Sequence, residues 1–223
     1  ICSPNHLHAA HTYLGLYSGS DVICEKPLVL NEKDIDSLLL AQKETGKKVY
    51  NILQVRQLES IKNLKKNIAA QPNNKTFDVS LKYITSRGNW YTKAWKNYSE
   101  LSGGICLNLG IHFFDLLIWL FGNPTKIKIN SASKTAVKGT TQFERANAEW
   151  FLSTDSKDLP CNHKAPSYRS LLIDNKEIEF SSGFKDAHTQ VYQDILAGKG
   201  LGLEEAKASI LLVNNIQNAI NQQ

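Results

Sequence analysis

The 223-residue chain contains no methionine, and its few cysteines form no motif. Cys2, Cys24, Cys106 and Cys161 show no CxxC spacing, which argues against a zinc ribbon or a disulfide framework. Cys2, Cys24 and Cys106 lie in apolar runs, where free cysteine behaves as a small buried hydrophobe. That usage predicts a reducing, cytoplasmic setting, and no signal-peptide pattern is visible. A strong charge of either sign is also missing. The 26 Lys and Arg against 21 Asp and Glu leave a formal charge of +5, mild enough to suit a small anionic substrate. The densest basic run, Lys62, Lys65 and Lys66, reads as a solvated helix face and not as a nucleic-acid patch. The greasiest stretch, residues 105–121, is interrupted by Asn108, His112 and Asp115, so it makes a poor membrane span. Internal repeats and low-complexity segments are absent. Without methionine and with an opening in mid-strand at Ile1-Cys2-Ser3-Pro4, the chain is expected to be a piece of a longer protein.

What is present divides in two. Ile1-Cys2 reads as the tail of a buried strand, and Ser3-Pro4-Asn5 as a turn capping a helix to about Gly19. A strand over Asp21–Cys24, a helix capped by Asn31 and ended by Gly46, and a strand over Lys48–Leu53 follow. Strands alternating with helices on short links predict a parallel sheet with right-handed crossovers, an incomplete Rossmann-type unit over residues 1–55. Beyond it the rhythm changes. A helix over Leu58–Ile68, a turn at Pro72-Asn73-Asn74 and an alternating strand over Asp78–Thr85 precede one long apolar helix from Gly103-Gly104 to Gly122. Strands near Lys126–Ser131, Glu144–Ser153, Tyr168–Ile173 and Glu177–Phe180, then a helix over Glu204–Ala219, complete the pattern. Residues 56–223 therefore read as an α+β domain on a largely antiparallel sheet, and the whole chain as α/β.

Three constellations could carry chemistry. In Asp21–Leu30 (DVICEKPLVL) the lysine of Glu25-Lys26-Pro27 ends an apolar strand, where open α/β sheets bind ligands. It is either a turn lysine at the surface or a partly desolvated group able to hydrogen-bond a substrate oxygen. In the long helix, Asn108, His112 and Asp115 stand at i, i+4 and i+7 on one face. They form either a satisfied structural network or the wall of an active site with His112 as general base. In Ser86-Arg87-Gly88-Asn89-Trp90-Tyr91, the arginine can hold a carboxylate or phosphate and the aromatics can stack on a sugar or base, or the segment is only a packed strand end. Gln54 follows a parallel strand and faces either the ligand crevice or the domain link. His6, His8 and His11 cluster without a carboxylate to complete a metal site, so no metal is expected.

Taken together, these residues resemble the Gfo/Idh/MocA family of NAD(P)-dependent sugar oxidoreductases over essentially the whole length. Glu25-Lys26-Pro27 matches the family signature, in which the lysine is catalytic and the Lys-Pro bond commonly cis. Gly103-Gly104 through His112 and Asp115 matches its second motif, in which the histidine is the usual acid/base. The resemblance implies that Ser3, Pro4, Asn5, His8, Glu25, Lys26 and Gln54 hold NAD, with NADP a possible substitute. It also implies that Lys26, His112 and Asn108 are catalytic, and that Arg87, Trp90, Tyr91, Asn108, His112 and Asp115 contact substrate. The runs ICSPNHLHA, ICEKPLVLN, ITSRGNWY, NLGIHFFD and EWFLS are similar to the branch that oxidises C3 of UDP-linked N-acetylated glucuronic acid for bacterial surface polysaccharide such as O-antigen. That branch implies a homotetramer and recycling of the cofactor by 2-oxoglutarate. Two departures stand out. The glycine-rich phosphate loop of the family is not in this chain, and Asn108 replaces an aspartate common among members. The alternatives are a dehydrogenase of another sugar or inositol, and a non-catalytic NAD-binding sensor.

Overall fold

Asn31 and Gly46 bracket the first long helix as expected. The Asn31 side chain accepts from Asp34 N–H at 3.1 Å, and Gly46 closes the helix in the left-handed region at φ 67°. The computed structural model describes residues 1–88, 90–179 and 184–222. Its opening part runs α1 (His8–Tyr17), β1 (Val22–Cys24), α2 (Glu32–Thr45) and β2 (Val49–Asn51), with β1 and β2 parallel in register Val22↔Val49. Ile1 hydrogen-bonds both Ile23 and Glu25, the pattern of a third parallel strand beside β1. The expected side-chain cap of α1 is not formed. The helix is entered through a 3₁₀ turn at Asn5–Leu7, and the Asn5 amide instead donates 2.8 Å to the Ser102 carbonyl.

The second part follows as α3 (Glu59–Ala69), β3 (Phe77–Thr85), α4 (Trp90–Lys93), α5 (Ser99–Ser102), α6 (Gly104–Asn108) and α7 (Ile111–Phe121). Then come β4 (Pro124–Ala132), β5 (Ala136–Phe143), β6 (Ala146–Ser153), β7 (Ser167–Ile173), β8 (Lys176–Glu177), α8 (Phe184–Leu196) and α9 (Leu203–Asn221). The sheet order is β4-β5-β6-β3-β7-β8, antiparallel except for the parallel β3–β6 pair. Strand β5 and helix α8 were not expected. The interior glycine of β5 masks it. At Gly139 a Cβ would sit 2.5 Å from the Trp150 ring and 2.8 Å from the Lys128 carbonyl, so the strand needs the glycine that weakens its signal. The strand expected over Glu177–Phe180 is shorter, and Phe180 lies outside the described residues. Cys24 and Cys106 are buried as expected, but Cys2 is exposed.

The long apolar helix is two helices. Helix α6 ends at Asn108, α7 starts at Ile111, and the path bends by 43° between them. Gly110 explains the break. Its backbone lies so close to the sheet that a Cβ would meet the Cys106 carbonyl at 2.6 Å and Leu152 and Phe114 at 2.7 Å. The i, i+4, i+7 argument for Asn108, His112 and Asp115 therefore fails as geometry, since Asn108 stands on the preceding helix. Helix α7 fills the centre of the core, with Phe114 edge-on to Trp150 at 5.2 Å and Phe121 against Phe77 at 5.6 Å. One continuous apolar cluster takes in Val22 and Leu38 from the opening part and Leu116, Trp150 and Val213 from the second. No single helix among the described residues is long and apolar enough to cross a membrane. Replacing Gly110→Ala should destabilise the protein by about 1–3 kcal/mol, the usual cost of overpacking a filled site, as read by denaturant unfolding. An unchanged midpoint would remove close packing as the cause of the break.

Candidate active site

Strand β1 delivers Lys26 to the site. The turn after Cys24 is held from two sides. The Asn51 amide donates to the Cys24 carbonyl at 3.1 Å and the Glu25 carbonyl at 3.4 Å. The two ring nitrogens of buried His8 face the Pro27 and Ser3 carbonyls at 2.7 and 2.8 Å. The Lys26–Pro27 peptide is cis. From this turn Lys26 Nζ donates 2.6 Å to the Asn108 carbonyl. That oxygen belongs to the last turn of α6, where no helical N–H remains to claim it. The break at Gly110 thus creates the acceptor that positions the lysine.

Lys26 opens into a cavity of about 230 Å³ that is also lined by Gln54, Tyr83, Arg87, Lys96, Asn108, His112 and Arg169. Among the described residues, four cations and no carboxylate line it, a setting that favours an anion. Burial pushes the Lys26 ammonium down to about 8; Glu25 opposes that shift, and Lys96 and Arg87 add to it. Burial likewise holds His112 well below the ordinary histidine value, and Lys26, His188 and Arg169 strengthen the effect. His112 is consequently a neutral imidazole at physiological pH, able to accept a proton. Its Nδ1 and the Gln54 Oε1 are buried and have no partner among the described residues. Two orphaned polar atoms at one cavity mark a place where a ligand completes the hydrogen bonding.

The structure brings together Lys26, Gln54, Arg87, Asn108 and His112. Others it takes elsewhere. Asp115, expected at the substrate, turns into a buried pair with Arg56, whose Nε donates to Oδ2 at 2.7 Å and whose Nη2 also bonds the carboxylate. One turn of α7 beyond His112, it faces the 3₁₀ turn Gln54–Gln57 and does not line the cavity. Trp90 is 56% exposed and does not line the cavity either. Tyr91 stands behind the wall: its hydroxyl donates to the Lys96 carbonyl at 3.0 Å, the Asn108 amide bonds it, and Arg87 lies 5.7 Å over its ring. His8, expected at the cofactor, has both nitrogens engaged on the turn. Ser3 Oγ bonds His11 at 2.9 Å, and Asn5 ties the turn to Ser102. Glu25 lies 3.7 Å from His188 on α8. Lys96, Arg169 and His188 escaped sequence reasoning. Arg169 reaches the cavity because β7 pairs with β3 in the register Tyr83↔Arg169, and its guanidinium lies 5.1 Å over the Tyr83 ring. Nothing local to TrpLysAsn or TyrArgSer signals that placement.

Known proteins share this fold. The model of the NAD-binding Rossmann fold of the Gfo/Idh/MocA oxidoreductase family matches residues 1–52, and the model of that family's C-terminal alpha/beta domain matches residues 74–169. The WlbA (WbpB) dehydrogenase of Thermus thermophilus, solved with NAD and alpha-ketoglutarate, is 42% identical at TM-score 0.89, over 93% of this chain and 68% of that one. Its complex with NAD and UDP-GlcNAcA aligns at 39% identity and TM-score 0.91, over 99% of this chain and 70% of that one. The scyllo-inositol 2-dehydrogenase (NADP(+)) IolU of Bacillus subtilis is 29% identical over 58% of this chain; the match spans only 40% of that enzyme.

The depressed lysine makes a stability prediction. The unfolded chain holds the Lys26 proton up to about 10.5, the folded chain only to about 8. Below about 8 the full cost of the buried ammonium is present, and wild-type stability should rise with pH through the window between the two values. Lys26→Met should therefore be the more stable protein at pH 7, on the order of 3 kcal/mol, with the gain fading towards pH 10.5. Chemical denaturation of both proteins across that range measures it; a gain that does not change with pH would mean the lysine is not desolvated.

Proposed function

We propose that this chain, which belongs to the Gfo/Idh/MocA oxidoreductase family, takes part in NAD-dependent oxidation of the C3 hydroxyl of a UDP-linked N-acetylated glucuronic acid. The observation that carries the reading is the cavity: four cations, no carboxylate, and one buried neutral histidine beside a lysine held at about 8. A uronate or phosphate answers the cations, and the histidine answers the hydroxyl.

In this reading His112 takes the C3 hydroxyl proton, and Lys26 donates a hydrogen bond to the same oxygen as negative charge develops there. Asn108 orients that hydroxyl; as an amide it supplies hydrogen bonds without charge. Arg87 and Arg169 receive the anionic group of the sugar. The turn Ser3-Pro4-Asn5, Glu25 and Gln54 border the nicotinamide side, and the orphaned Gln54 oxygen fits a carboxamide N–H. NAD, when bound, supplies the hydride acceptor at C3. A 2-oxoglutarate dianion suits the same cations and would take the hydride back at its keto carbon. Residues 1–55 serve the cofactor and 56–223 the substrate and assembly, in a cytoplasmic homotetramer supplying a surface-polysaccharide sugar.

A second reading, an inositol dehydrogenase, has the resemblance to the IolU enzyme in its favour. The cavity counts against it, since an uncharged polyol brings no anion to a wall lined by Lys26, Arg87, Lys96 and Arg169. Assaying NAD reduction by the full-length protein with UDP-linked uronic acids, free uronic acids and inositols separates the two. Preference for inositol would sink the first reading.

Two predictions follow from the roles. Lys26→Ala and His112→Ala should each lower kcat by about 10² or more with the fold retained by circular dichroism; near-normal turnover in either removes that residue from the chemistry. The kcat/KM profile, which reports the free enzyme, should fall at low pH with a limb below 6.5, where His112 gains a proton and can accept no other, and at high pH near 8, where Lys26 loses its charge. Lys26→Arg should push the alkaline limb out of reach while leaving the acid limb in place.

A further inference from the structure

Two side chains with buried, unpartnered atoms face the catalytic cavity from different elements. The His112 imidazole comes from α7, and the Gln54 amide from the 3₁₀ turn Gln54–Gln57. In the reading above one meets the sugar and the other the nicotinamide. Their separation therefore sets how far the reacting carbon lies from the hydride acceptor. The two orphaned atoms do not bond each other, so the spacing has to be held from behind.

Arg56 and Asp115 stand where that hold is needed. Arg56 follows Gln54 by two residues in the turn, and Asp115 follows His112 by three on α7, roughly one helical turn away. The arginine fork meets both carboxylate oxygens: Nε donates to Oδ2 at 2.7 Å, and Nη2 donates to Oδ1. The side chains are only 11% and 2% exposed, and neither lines the cavity. One turn further along α7, the Arg56 guanidinium lies 5.6 Å from the centre of the Trp119 ring. Lys65, on the helix that follows the turn, donates to the Trp119 carbonyl. The turn and its following helix are thus fastened to α7 at two successive levels, and the Asp115 level is the one next to His112.

Stability alone is a weak reason for such a pair. Burial pushes the Asp115 carboxyl up against the pull of Arg56. An apolar pair of similar volume often serves a core as well or better, because desolvating two charges offsets their attraction. What an apolar pair cannot supply is direction. Two parallel hydrogen bonds fix distance and rotation together, and reacting groups need to be held to within about 0.5 Å.

We propose that Arg56 and Asp115 are positioning residues: their bidentate pair fixes the spacing between His112 and Gln54, and with it the distance over which hydride passes from sugar to nicotinamide. The inference rests on the dehydrogenase reading above and extends it to two residues that stand outside the cavity. Since the pair acts on geometry and not through ligand contacts, its loss falls on kcat and leaves KM little changed.

Arg56→Lys, and the double variant Arg56→Met with Asp115→Leu, test this in the full-length, NAD-loaded protein. The lysine keeps the charge and loses the fork; the double variant removes both charges and keeps an apolar filling. Both should keep the parental circular dichroism, and the double variant its denaturant midpoint. Both should nevertheless lower kcat about tenfold to a hundredfold with KM within about twofold, the loss expected from a displacement of up to about 1 Å. The isotope effect on kcat with sugar deuterated at C3 should rise, because a poorer transfer geometry makes the hydride step limit the rate. Crystal structures of the variants should show the His112–Gln54 separation altered by about 0.5 Å or more. Parental kcat and isotope effect in both variants overturn the proposal, as does a loss of kcat that only tracks the fraction unfolded. If the double variant does not fold, Arg56→Lys decides on the same criteria. Absence of NAD reduction by the unmodified protein with any sugar or inositol fails the dehydrogenase reading alone. The crystallographic spacing then still decides whether the pair sets the separation.

Discussion

The contact from the Lys26 ammonium to the Asn108 carbonyl is the constraint on which the site depends. It joins the end of a parallel strand to the end of a short helix and spans the two halves of the chain. Its acceptor exists only because the helix stops. In an unbroken helix the N–H of residue 112 would claim the carbonyl of residue 108. The helix stops because Gly110 lies against Leu152 and Phe114, where a side chain has no room. Close packing of helix on sheet therefore frees one carbonyl, and that carbonyl fixes one lysine. A fold-level demand for density becomes a catalytic geometry without any residue devoted solely to the purpose.

Electrostatics then separates the two groups to which the proposed chemistry is assigned. Lys26, Arg87, Lys96 and Arg169 share a small desolvated space with no opposing carboxylate at its wall. Burial first, and their mutual repulsion after it, makes every added positive charge expensive, so His112 stays neutral and Lys26 sits near 8 in place of its usual 10.5. An anionic ligand reverses the sign of the local field. Its arrival raises the lysine and so secures the charged form needed to hold a developing oxyanion. Substrate charge and lysine protonation are coupled by the wall itself, and an uncharged sugar cannot exploit that coupling.

Much of this was legible in the sequence where the signal is local. Asn31 and Gly46 mark the ends of α2 through capping chemistry that acts within four residues. Lys26 stands out because a charge flanked by apolar strand residues is already a local anomaly. The rest depends on partners remote in sequence. Arg169 joins the site through strand register with Tyr83, and Lys96 through the fold of the segment between β3 and α6. Asp115 looked like a site residue because helical periodicity set it beneath His112. It was lost to Arg56, fifty-nine residues away, which offers it two hydrogen bonds. The helix break went unread for a related reason. Gly110 has an ordinary helical φ of −78°, and only the side chains facing it make a larger residue impossible.

The loss of Asp115 to Arg56 bears on how His112 works. A histidine paired with a carboxylate gains an imidazolium stabiliser and a fixed tautomer. Among the described residues no carboxylate pairs with His112, and its Nδ1 is orphaned. Leaving a buried nitrogen unpaired costs about 1–3 kcal/mol, a cost that a ligand hydroxyl donating to it would lift. The imidazolium formed by proton transfer would then face four cations with no carboxylate to share its charge. Such a base holds a proton briefly and returns it readily. Reversible exchange is what an enzyme needs if it oxidises one hydroxyl and then reduces a second keto compound in the same site to restore its cofactor. Burial without a carboxylate partner thus makes His112 a two-way proton carrier in the proposed reaction, where an Asp-stabilised imidazolium would favour one direction.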